Sequence, residues 1–104
     1  MADRRASQAI PLAERAVDGL TRTAGPEAIE TLRARSILAW AYLFDSRFSD
    51  AITTGEAALR SMTRAHGLAA GEVQWLERNV DEAREARRNG EQDRSPRSSG
   101  RGWR

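Results

Sequence analysis

The sequence predicts an all-α fold, a short stack of antiparallel helix hairpins, and three observations carry that prediction. Residues 3–88 are rich in Ala, Arg, Glu and Leu, with apolar residues at helical spacing. No stretch alternates β-branched and polar residues for long enough to make a strand. The chain also repeats itself: residues 3–35 laid over 45–77 match at 12 of 33 positions, against roughly three expected by chance. The identities include Ser7/Ser49, Ala9-Ile10/Ala51-Ile52, Glu14/Glu56, Ala16/Ala58, Thr21-Arg22/Thr63-Arg64 and Gly25/Gly67. A helix–turn–helix period of 42 residues reads as a stacked α-solenoid.

Breakers at Ala24-Gly25-Pro26, at Asp45-Ser46-Arg47 and from Gly67 through Gly71 divide the repeat into four helices, near 7–23, 27–44, 50–65 and 70–88. Ser7 is expected to cap the first, with Pro11 near its first turn. Ser49 is the matching cap of the third helix, and Asp50 is favourable beside its positive end. Gly55, in mid-helix, is expected to weaken the third helix, so that an Ala there should stabilise it. Asn89-Gly90 stops the fourth helix. Beyond it, residues 89–104, NGEQDRSPRSSGRGWR, hold one apolar side chain, Trp103. That composition predicts a disordered tail behind a helical domain of residues 1–88.

Composition narrows the function. The 104 residues make one small domain. With no Cys and only His66, neither a thiolate or multi-histidine metal site nor a cysteine nucleophile is available, and a Ser-His-Asp arrangement is disfavoured. His66, before Gly67, reads as a cation at a helix C-terminus. The glycines fit helix ends and faces rather than a phosphate-binding loop. The expectation is a non-enzymatic protein with no cofactor and no metal. No apolar run reaches the roughly 18–20 residues of a membrane span, and the N-terminus lacks the apolar stretch of a signal peptide, so a cytoplasmic location is expected. All 17 basic residues are Arg. Residues 1–90 hold 13 Arg and 13 acids, so the net charge of +2 resides in the tail. A nucleic-acid-binding domain carries its basic face on the folded part, so nucleic acid is a disfavoured partner. Its one route would be the Arg-rich tail, with Trp103 stacking on a base, and that accessory role is the alternative function.

The residues resemble a tetratricopeptide repeat of the longer, kinesin-light-chain type common in bacterial proteins, over about residues 3–88. The family pattern is met by Leu38-Ala39, Tyr42, the turn Ser46-Arg47-Phe48, then Asp50-Ala51-Ile52 and Ala58. The segment AGPEAIETL at 24–32 resembles the inter-repeat linker, with a degenerate copy, HGLAAGEVQ, at 66–74. Ile37 and Gly55 depart from the pattern, standing where the family often has an Asn and a large residue. The phase implied is B-A-B-A: the chain begins at a turn, its fourth helix acts as a polar cap, and its first lacks a preceding helix A. Weak homodimerisation through the first helix, whose stripe Ile10, Ala13, Val17 and Leu20 would be partly open, is therefore expected.

The resemblance further implies a protein–protein interaction module that binds a peptide or partner protein on the concave face of its A helices. The groove candidates are Arg33, Ser36 and Trp40 on the second helix, with Arg78, Asn79 and Glu82 on the fourth. Two Arg flanking an aromatic suit an extended peptide bearing a carboxylate. Trp75 is expected to seal the end of the stack against the third helix.

Overall fold

The computed structural model describes residues 4–66 and 70–96. Four helices follow one another: α1 (Arg4–Thr23), α2 (Ile29–Phe44), α3 (Phe48–Ser61) and α4 (Ala70–Arg88), with a π-helical turn, Met62–His66, continuing α3. No strand occurs among the described residues. Each helix packs on the next in the chain, and α2 also touches α4. The result is the all-α helical-hairpin stack that the repeat predicts.

Two apolar clusters hold the stack. One joins Ile10 of α1, Leu38, Ala41, Tyr42 and Leu43 of α2, Phe48, Ala51 and Ile52 of α3, and Ala83 and Ala86 of α4. The other joins Leu32 and Ala39 of α2 to Ala58, Met62, Leu76 and Val80. Small residues allow the close approaches, as expected at Ala51 and Ala58, which are buried. Gly55 corrects the sequence reading. It too is buried, and a methyl group there would collide with Val80 Cγ2 while also reaching Leu76 Cδ1 at 3.6 Å and Ala39 Cβ at 3.8 Å. The missing side chain is the contact surface between α3 and α4, not a flaw in α3.

The helix boundaries bring further corrections. Ser7 does not cap α1, which is already helical at Arg4. Pro11 lies inside it, removing one backbone bond to the Ser7 carbonyl while Ala6 and Ile10 are buried on the inner face. The α1–α2 junction turns at Gly25, whose φ is 104°, and Thr31 Oγ1 donates to the Gly25 carbonyl at 2.8 Å. At the α2–α3 junction, Ser46 takes a left-handed φ of 60°. Ser46 N–H bonds the Leu43 carbonyl at 3.0 Å and Arg47 N–H the Tyr42 carbonyl at 2.8 Å. This is a Schellman closure with serine in the position glycine favours. The Arg47 guanidinium lies 4.5 Å from the centre of the Tyr42 ring. Because the chain turns so tightly, α3 starts at Phe48 and Ser49 is its second residue rather than its cap.

The chain after α4 is the largest departure within the described residues. Gly90, with φ 82°, closes α4 by the same Schellman pattern: Gly90 N–H to the Arg87 carbonyl and Glu91 N–H to that of Ala86. Residues 91–96 then form a strap across the α2–α3 turn, not a disordered tail. Arg94 N–H bonds the Ser46 carbonyl at 2.7 Å, and its guanidinium stands 3.2 Å from the buried Asp45 carboxylate. Asp93 Oδ2 accepts from Ser49 N–H at 3.0 Å and from the Ser49 hydroxyl. Ser95 Oγ accepts from Asp50 N–H at 3.0 Å. Those are two of the donors a helix start leaves unpaired, and α3 has no side-chain cap of its own. The remainder of the expected tail, residues 97–104 with Trp103, lies outside the described residues.

Candidate functional site

Helices α2 and α4 run side by side, with Arg33 paired to Glu72 near their N-termini and Phe44 facing Glu82 and Glu85 across a recess near their C-termini. The strip between them is therefore continuous along both helices. It contains three of the large apolar residues that remain exposed among those described: Ile37, Phe44 and Trp75. Ile37, Trp40 and Phe44 follow the i, i+3, i+7 spacing of one helix face. Trp40 is half-buried and its ring centre is 5.0 Å from that of Phe44.

Two recesses open on the strip. The first, about 370 Å³, is framed by Arg33, Ser36, Ile37, Met62, Glu72 and Trp75, with Gly71 adding no side chain. Its wall is apolar, and its mouth carries the Arg33–Glu72 pair. The second, about 290 Å³, is bounded by Leu43, Phe44 and Phe48 on one side and by Glu82, Glu85 and Glu91 on the other. Glu85 pairs with Arg88 at 3.2 Å. The side chains of Glu82 and Glu91 have no ion-pair partner among the described residues.

The groove candidates separate on inspection. Arg33 is exposed, and its Nε donates to Glu72 Oε2 at 2.8 Å. The hydrogen bond to Glu72 and that carboxylate's charge raise the guanidinium above its ordinary pKa. Ser36 is buried, its hydroxyl donating to the Leu32 carbonyl at 3.1 Å. Asn79 is buried too, its Nδ2 donating to the Trp75 carbonyl at 2.8 Å. Both polar groups thus serve their own helices. Arg78 is exposed and borders neither recess, whereas Glu82 borders the second. Trp75 does not seal the stack against α3. Leu76 is the residue turned fully inward there, and one step along a helix rotates the side chain by about 100°, so Trp75 remains 37% exposed beside α2. Sequence reasoning missed Ile37 and Phe44 as site residues. The signal was their helical spacing with Trp40, which reads equally well as core.

Two polar links fix the strip from behind. The Tyr42 hydroxyl donates to Glu14 Oε2 at 2.6 Å, tying α2 to α1. Burial first, and then that bond, push the Tyr42 phenol well above its ordinary pKa. Arg84 pairs with Glu56 and, at 3.2 Å, with Asp81, tying α4 to α3. Among the described residues, no group of His, Asp and Glu is arranged to hold a metal ion, and no helix is long and apolar enough to cross a membrane. No family model, curated protein or solved structure matches the chain.

Proposed function

We propose that the protein is a non-enzymatic, cytoplasmic protein–protein interaction module of tetratricopeptide-like character, binding a peptide or partner protein along the strip between α2 and α4. The observation that carries this reading is the grouping of Ile37, Phe44 and Trp75, all exposed, along the two recesses of one strip, while most other large apolar residues among those described are packed inside. The 42-residue repeat supports it, because it aligns the start of α4 with the start of α2 and so reads both as helices of the same kind in a stack. With two such helices the groove is short, and affinities around micromolar or weaker are expected.

The test is affinity capture from the source cell with three forms of the chain: wild type, the double change Ile37→Asp with Phe44→Asp, and a deletion starting at Arg97. That start leaves the 91–96 strap on α3. A partner retained by the deletion and lost by the double variant, with helical circular dichroism unchanged in both, is the expected result. The opposite pattern would assign function to the Arg-rich tail and favour the nucleic-acid-associated role instead.

A further inference from the structure

The two recesses differ in chemistry, and the difference specifies a ligand. At the α2 N-terminal end the recess is apolar, walled by Ile37, Met62 and Trp75, and the charges at its mouth cancel in the Arg33–Glu72 pair. At the α2 C-terminal end the recess keeps an apolar wall, Phe44 included, but its far side is acidic. Glu82 and Glu91 form no ion pair among the described residues, and neither Arg78, four residues before Glu82, nor Arg87, four residues before Glu91 and bonded to the Ser49 hydroxyl, borders either recess.

An apolar recess next to two unanswered carboxylates is complementary to an apolar side chain followed by a cation. The expected carboxylate ligand is the wrong sign for this surface, because Arg33 already pairs through its Nε with Glu72 and the carboxylates of the second recess face the strip. The distance between the recesses adds a spacing. Their α2 walls, Arg33, Ser36 and Ile37 against Leu43 and Phe44, lie on average about eight helical residues apart, or about 12 Å at 1.5 Å per residue. An extended segment covers that in about four residues at 3.3 Å each.

We propose that the strip recognises an extended partner segment that sets a large apolar side chain into the Ile37–Trp75 recess and, about four residues away, a Lys or Arg against Glu82 and Glu91. This inference rests on the reading of the strip as an interaction groove and adds the identity of what it selects. Apolar burial supplies the anchor, and the carboxylates set the register and reject acidic segments. The groups involved lie on α2, on α4 or immediately after it, and, for Met62, on the turn that continues α3, all of them packed elements, so the site is preformed.

Selection of a random dodecapeptide display library on the full chain tests the assignment. Enriched peptides should carry Leu, Phe, Met or Trp with Lys or Arg three to five positions away. A fluorescein-labelled member should lose at least tenfold in affinity when its basic residue becomes Glu. The double change Glu82→Gln with Glu91→Gln should weaken the parent peptide at least fivefold while leaving the Glu-bearing one no weaker. Ile37→Asp should abolish binding of both. Enrichment of acidic peptides, or affinity indifferent to Glu82 and Glu91, would overturn the charge assignment but leave the groove standing, provided Ile37→Asp still removes binding. Binding indifferent to Ile37→Asp, or no enrichment at all, would overturn the groove itself.

Discussion

At Gly55 the backbone of α3 comes against Val80 of α4, a β-branched side chain that is stiff at χ1 and only 1% exposed. Gly55→Ala should therefore destabilise by about 1–3 kcal/mol through overpacking. The propensity gain of up to about 1 kcal/mol for leaving glycine is too small to reverse that. A denaturant midpoint that rises in this variant would refute the packing argument. The sequence pointed the other way because a mid-helix glycine is visible locally and the helix that crosses it is not. Ala51 and Ala58 were legible through the resemblance, whose pattern has small residues where the second helix of a hairpin approaches the first. Ser46 offers the converse test. It occupies φ 60° without being glycine, a conformation costing an L residue roughly 1–2 kcal/mol. Ser46→Gly should raise stability by about 1 kcal/mol, less the small entropic cost of glycine in the unfolded chain. Thermal unfolding of the two proteins side by side decides it.

The elements themselves were largely readable: four helices, their order and the correspondence by repeat of α1 with α3 and of the start of α2 with the start of α4 follow from apolar spacing and the repeat. The strap was not. Its residues are polar, and composition alone marks them as unable to form a core. What composition cannot register is that a polar segment has targets in the unpaired amides of a helix start 44 positions earlier in the chain. Asp93→Ala should remove the cap of α3 and cost about 1–2 kcal/mol. The pH dependence carries a sign. Burial alone would raise the Asp93 carboxyl, but the bonds from Ser49 and Ser95 outweigh it and hold the group below its ordinary range. A carboxyl depressed in the folded state contributes stability that is complete above the unfolded pKa, about 3.9, and is lost as pH falls through the folded one. The melting temperature of the wild type should accordingly drop more steeply below about pH 4 than that of Asp93→Asn. Parallel curves for the two would show that the carboxylate does not cap α3.

On the scale of the whole molecule, a two-hairpin stack has two ends and one groove, and its exposed apolar side chains should report on each. Among the described residues three of the four large ones belong to the groove; the fourth, Leu12 on α1, is 63% exposed. The repeat phase leads to the expectation of a partly open apolar stripe on α1. The packing narrows what that leaves open, because Ile10 is 3% exposed and Ala13 and Val17 lie against the core. The stripe read from the sequence is thus mostly the face that α1 turns toward α2, and sequence periodicity could not separate an inward stripe from an outward one. Contact between copies through α1 must then centre on Leu12, flanked by Ala16, also exposed, and by Gly19, beside which there is open space. Such a patch is far smaller than the roughly 1,200–2,000 Å² that stable interfaces bury, so association should be weak. Sedimentation velocity should show a coefficient that rises with concentration for the wild type and stays flat for Leu12→Arg. Ile37→Asp, on the groove, should leave the rise unchanged. A rise abolished by Ile37→Asp and retained by Leu12→Arg would move the self-contact to the groove, and a flat wild-type profile would mean that α1 closes the stack unaided.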